Sequence, residues 1–139
     1  MIAGLSMGGY GAMRHALGAP DRYFAAGSFS GPLDVAAWKP FAEQTGGIQI
    51  YPHELDHIFG QAPAGTQNDL LTLLDRTPAD KLPALYVSCG TSDSLLPFSR
   101  SFAGRAGSRV ACREVPGAHT WDVWDREMEY FLDFALKTR

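Results

Sequence analysis

A chain of 139 residues with 45% hydrophobic content is one domain by length and can build a core. Its formal net charge of −3, with Lys and Arg scattered, offers no electrostatic footprint for nucleic acid or an anionic membrane. No apolar run approaches the roughly 20 residues of a membrane helix, no charged-then-apolar leader opens the chain, and Cys89 and Cys112 make no disulfide framework and read as reduced core thiols.

In chain order, the first element is a short apolar strand running straight into Gly4-Leu5-Ser6-Met7-Gly8. This fits G-x-S-x-G, a sharp strand-to-helix turn that presents a serine hydroxyl above a parallel sheet. The flanking glycines leave room where strand and helix nearly touch, and amides at the helix start favour developing negative charge. A helix is expected from Gly8 to Leu17, stopped by Gly18-Ala19-Pro20, and then a buried strand over Tyr23 to Phe29. Residues 33–65 are rich in Pro, Gly and aromatics, which predicts an irregular, lid-like insertion with short helices. A short helix over Asn68–Asp75 follows, then a strand over Ala84–Cys89, a helix over Pro97–Ala106 and a last strand over Arg109–Val115. Thr120 is the expected N-cap of a final helix whose apolar face is Trp121, Trp124, Met128, Phe131, Leu132 and Ala135. This order reads as α/β, the second half of a doubly wound sheet of about four mostly parallel strands. A serine turn of this kind normally lies mid-sheet, yet only Met1–Ala3 precede Gly4, so the sequence reads as the C-terminal half of a larger domain.

A serine hydroxyl attacks only when a base takes its proton, and that base needs a third group to orient it. In α/β-hydrolases the three follow in the order Ser, acid, His. Ser6, Asp93 and His119 occur in that order, each just after a predicted strand, at the sheet edge where catalytic groups gather. Asp34, after the second strand, is the rival acid. His15 is a poorer base because it points along a helix. Asp122 and Asp125 read as helix-start residues, and Trp121 as core or acyl-pocket wall.

Gly4-Leu5-Ser6-Met7-Gly8-Gly9-Tyr10-Gly11, Ser28-Phe29-Ser30-Gly31, Cys89-Gly90-Thr91-Ser92-Asp93 and Gly117-Ala118-His119-Thr120-Trp121 together resemble the esterase D family of α/β-hydrolases, in its tributyrin esterase or acetyl esterase branch. The resemblance runs over essentially the whole chain. It implies serine carboxylesterase chemistry without a cofactor, with Ser6 as nucleophile, Asp93 as acid and His119 as base, on a small-molecule ester. The Met7 backbone amide is expected to be one oxyanion donor, and Leu5 and Trp121 are expected to contact substrate. The second donor is expected from a loop after the third strand of a complete fold, and these residues contain no such loop. The S-formylglutathione hydrolases of that family typically carry His just before the nucleophile. Leu5 stands there instead, which favours short-chain acyl esters.

Two alternatives stand beside this reading. His53-Glu54-Leu55-Asp56-His57 formally matches the H-E-x-x-H of zinc metallopeptidases. Pro52 and Gly60, however, allow only about two turns of helix, Asp56 is an unusual neighbour for a buried metal, and no third-ligand motif follows. His53 and His57 read more simply as surface residues, and no metal is expected. Alternatively, the first strand is a sheet edge that pairs with another chain, making the protein a homo-oligomer, an inactive fragment or an interaction module. A cytoplasmic location is expected.

Overall fold

The computed structural model describes residues 1–46 and 50–139. Four strands, β1 (Ile2–Leu5), β2 (Ala25–Phe29), β3 (Ala84–Gly90) and β4 (Val110–Val115), form one sheet in which order in space equals order in the chain. All three pairings are parallel. Each therefore needs a crossover connection rather than a tight turn. Helix α1 (Met7–Gly18) links β1 to β2 and α5 (Leu96–Ala106) links β3 to β4. The longer β2–β3 connection holds α2 (Val35–Thr45), α3 (Pro52–Phe59) and α4 (Leu70–Arg76), and α6 (Trp121–Lys137) follows β4.

The register sets the working edge. Leu5 lies opposite Phe29, Phe29 opposite Ser88 and Gly90 opposite Val115. The residues that leave β1, β3 and β4 at their C-terminal ends thus emerge along one rim of the sheet.

Alternation along the strands divides the core between the two faces. Ala26, Leu85 and Val87 pack with Tyr10, Met13 and Leu17 of α1, with Phe98 and Phe102 of α5, and with Leu33, Trp38 and Leu74 from the long connection. Ala25, Phe29, Tyr86 and Val115 point the other way, onto Val123, Trp124, Phe131 and Ala135 of α6. β2 is buried throughout, whereas every residue of β1 is half-buried, as suits a strand at the end of the sheet. Among the described residues, no helix is long and apolar enough to cross a membrane.

Two expectations need correction, one on α6 and one on Cys112. Residues 33–65 hold short helices, α2 and α3, and residues 47–49 lie outside the described residues. Asp34 caps α2 by accepting from the Ala37 amide at 3.1 Å, and Glu54 closes the first turn of α3 by accepting from the Tyr51 amide at 2.8 Å. The helices are pinned by Trp38 and Phe59, which pack tilted against each other with ring centroids 5.8 Å apart. In α6 the buried stripe is Val123, Trp124, Glu127, Phe131 and Ala135, while Trp121, Met128 and Leu132 are exposed. The stripe is narrower than the apolar composition suggested, and Glu127 takes a place in it. Its Oε2 accepts from the Tyr86 hydroxyl at 2.8 Å and from Arg113 Nε at 3.1 Å, which offsets part of the cost of burial, while Oε1 has no partner among the described residues. Finally, Cys89 is buried as expected but Cys112, on the edge strand β4, is exposed.

Candidate active site

The serine turn is built by close backbone contact. Ser6 sits at φ 53° and ψ −127°, in a region that L-residues rarely occupy. Such a conformation costs on the order of 1–3 kcal/mol and persists only where neighbours over-determine it. Here the Ser6 amide donates to Phe29 O at 2.8 Å, and Ser6 O accepts from the Gly9 amide at 2.9 Å as α1 begins. A Cβ on Gly4 would lie 2.3 Å from Gly8 O, a backbone atom that cannot swing away. Strand and helix can approach this closely only with glycine at position 4.

The second and third components come from the loops after β3 and β4, and backbone hydrogen bonds zip these loops together. The Thr91 amide donates to Val115 O at 2.8 Å and the Ser92 amide to Gly117 O at 2.9 Å. A Cβ on Gly90 would stand 2.4 Å from Gly117 O, so the two loops meet at backbone distance. This places Asp93 Oδ2 2.8 Å from His119 Nδ1, and His119 Nε2 3.0 Å from Ser6 Oγ. The Asp93 side chain is 0% exposed, and its Oδ1 accepts from the Leu95 amide at 2.9 Å. Both carboxylate oxygens thus have a donor, and the imidazole is held between a buried acceptor and the serine.

Helix α1 starts directly after Ser6, and among the described residues the Met7 amide donates to no protein acceptor. It is free to donate to an oxygen held against Ser6. Cys89 lies near this site, but burial first, and the Asp93 carboxylate second, push its thiol up to about 11, which keeps it protonated and inert at neutral pH.

Of the residues singled out from sequence, Ser6, Asp93 and His119 come together. Leu5 and Met7 flank the serine, with Met7 exposed. Trp121 is 65% exposed and stands at 78° to Trp124 with centroids 5.4 Å apart, so it is not core. Asp34, the rival acid, is occupied elsewhere: besides capping α2 it accepts from Ser101 Oγ at 2.6 Å. His15 is exposed near the end of α1. His53 and His57 lie on α3 with ring centroids 6.5 Å apart, but Glu54 is committed to the helix cap and Asp56 to Lys39 at 2.7 Å. Among the described residues, no group of three or more His, Cys, Asp or Glu side chains gathers to hold a metal ion.

Two neighbours of the site were not singled out from sequence. Trp124 stands beside His119, and Ser30, at the end of β2, hydrogen-bonds Trp124. In sequence, Ser30 stands inside the Ser28–Gly31 motif and Trp124 on the expected apolar face of the last helix, five residues after His119; neither signal assigns a role at the site.

A parallel half-sheet with helices on both faces, a serine on a strained strand-to-helix turn, and an aspartate and a histidine delivered from the next loops along the same rim define the C-terminal half of an α/β-hydrolase fold. The chain belongs to the Esterase family, whose model matches residues 1–132. It is 27% identical to the acetyl esterase of Caldicellulosiruptor saccharolyticus over a 143-residue alignment covering 98% of this chain and 54% of that protein. Among solved structures it is similar to the S-formylglutathione hydrolase FrmB of Staphylococcus aureus, with a TM-score of 0.76 and 25% identity over 96% of this chain and 53% of the other. It is also similar to the fluorophosphonate-binding serine hydrolase FphF of the same organism, with a TM-score of 0.76 and 26% identity over 96% of this chain and 52% of the other. The chain spans about half the length of these relatives.

Proposed function

We propose that this protein is a carboxylic ester hydrolase that cleaves short-chain acyl esters through an acyl-enzyme. The observation that carries the reading is the continuous line from buried Asp93 through His119 to Ser6, with contacts of 2.8 and 3.0 Å. Asp93 holds His119 with its proton on Nδ1, leaving Nε2 to take the proton of Ser6 Oγ as that oxygen attacks the ester carbonyl. The carbonyl oxygen gains negative charge and is met by the Met7 amide at the positive end of α1. As the tetrahedral species collapses, the bond to the alkoxy oxygen breaks and His119 Nε2 returns the proton to the departing alcohol. Water, deprotonated by the same nitrogen, then releases the acid and restores Ser6. In this reading Leu5, next to Ser6 in the chain, and exposed Trp121 contact the substrate. The likeness to an acetyl esterase supports a short acyl group, as does Leu5 in place of the histidine typical of S-formylglutathione hydrolases. Hydrolysis of p-nitrophenyl acetate is expected to be lost in Ser6→Ala and unchanged by chelator. Chelator-sensitive hydrolysis that survives Ser6→Ala would overturn the reading and return attention to His53, Glu54 and His57.

A second reading has its own observation. β1, which delivers Ser6, has β2 as its single neighbour among the described residues, so one row of its backbone groups is unpaired beside the site. We propose that this edge pairs with further polypeptide, including a second copy of the chain. Sedimentation analysis is expected to show a concentration-dependent dimer, and a strict monomer would exclude self-pairing.

A further inference from the structure

The imidazole of His119 is bonded through Cγ to its own Cβ and hydrogen-bonded by Nδ1 to Asp93 and by Nε2 to Ser6. The covalent bond leaves the ring able to roll about the Cβ–Cγ axis. That roll swings both nitrogens out of line, and the two hydrogen bonds oppose it only gradually as they bend. The third contact is Trp124, whose indole stands at 88° to the imidazole with centroids 4.9 Å apart. A perpendicular ring at this distance is a wall against roll.

The wall is itself held. Trp124 is buried, and its Nε1–H donates to Ser30 Oγ at 3.2 Å. Ser30 is completely buried at the end of β2, with its amide donating to Ser88 O at 2.8 Å. Its φ is 54°, and Ser6 and Ser30 are the two non-glycine residues with positive φ among the described residues. Both lie on the same rim of the sheet. Strain of this kind is retained where surrounding contacts hold it, and such contacts cluster at functional sites. The unusual backbone at Ser30 puts its hydroxyl where an otherwise unpaired buried indole N–H needs an acceptor.

We infer that Trp124 and Ser30 are positioning residues for His119: the Ser30 hydroxyl fixes the indole, the indole stops the imidazole from rolling, and Nε2 stays aligned with Ser6 Oγ. The inference rests on the triad reading above. Neither residue takes or gives a proton in the reaction.

Trp124→Phe keeps an aromatic ring but loses the N–H, and Ser30→Ala keeps the indole but loses the acceptor. Each is measured for kcat and KM on p-nitrophenyl acetate and for the rate of Ser6 labelling by a fluorophosphonate, counted per site labelled at completion so that unfolded protein does not enter. Each variant is expected to lower kcat and the labelling rate about tenfold, well inside the roughly 10²-fold that a 1 Å misplacement can cost. KM should stay within about twofold, and the double variant should be no slower than the slower single one, because both act through one contact. Ser30→Ala removes one oxygen only, so it tests the idea even if Trp124→Phe folds poorly. A wild-type chain left unlabelled at Ser6 overturns the triad reading and the inference with it. A labelled wild type whose variants label at its own rate overturns the inference alone. Losses that multiply in the double variant, or that fall on KM with kcat intact, also overturn it.

Discussion

Replacing Asp93 by Asn tests the site through a single atom. The carboxylate has two jobs: Oδ1 accepts from the Leu95 amide at 2.9 Å and Oδ2 faces His119 Nδ1 at 2.8 Å. An asparagine amide has one acceptor and one donor end. If its NH2 pointed at the Leu95 N–H, two donors would meet in a side-chain site that is 0% exposed. The amide oxygen therefore stays on Leu95 and the NH2 turns toward His119. Nδ1 must then accept, which moves the imidazole proton to Nε2, the nitrogen 3.0 Å from Ser6 Oγ. The base now carries a proton where it should receive one. Transfer of this kind between tautomers costs on the order of 10⁴ in rate in a serine triad, equivalent to about 5 kcal/mol of transition-state stabilisation. The number of hydrogen bonds at position 93 is conserved, so stability should change by no more than about 1 kcal/mol. The assay is steady-state p-nitrophenyl acetate hydrolysis beside a urea melt of the same preparation. A well-folded Asp93→Asn protein within tenfold of wild type would refute the assignment of Asp93 and reopen the case for Asp34.

Three further outcomes are expected. Gly90→Ala puts a methyl group 2.4 Å from Gly117 O and should push the His119 loop away, costing about 1–3 kcal/mol of stability and lowering kcat more than KM; an unaffected kcat would show that the loop contact does not set the site. Asp69 caps α4 and accepts from the Gly65 amide at 2.8 Å, the Leu71 amide at 3.1 Å and Thr72 Oγ1 at 2.8 Å. Burial alone would raise its pKa, but these donors outweigh it and hold the carboxyl below its ordinary value. The stability it contributes is therefore present above the unfolded value of about 3.9 and lost as pH falls through the lower folded value, so the deficit of Asp69→Ala, about 2 kcal/mol at neutral pH, should shrink in urea melts run toward pH 3. A deficit independent of pH would contradict this. Exposed Cys112 should react with an aromatic disulfide in the native protein, and Cys89, buried and pushed up to about 11, should react only after denaturant; equal rates would contradict the packing around Cys89.

What the sequence by itself determined is local. The turn at Ser6 was readable because its requirement is steric and contiguous: Gly4 must clear the Gly8 backbone, and no distant residue can supply that space. The parallel α/β character of the sheet followed from alternating strand and helix signals, since parallel neighbours need crossover connections, whereas the strand order came only with the fold. Asp93 and His119 could be picked out because each follows a strand end, but their competitors could be set aside only in three dimensions. Asp34 differs from Asp93 in what it caps and in its bond to Ser101, a residue 67 positions away. The buried face of α6 is legible in sequence at Trp124, Phe131 and Ala135 but not at Glu127, for the same reason. Apolar spacing marked Met128 and Leu132, while the tertiary fold buried Glu127 because Tyr86 and Arg113 were there to meet it. Trp124 and Ser30 are separated by 94 positions, and nothing local in either stretch says that they meet. The physical reason is range: sterics and propensity act over a few residues, whereas choosing the acid, seating the base and burying a charge depend on partners that only folding brings together.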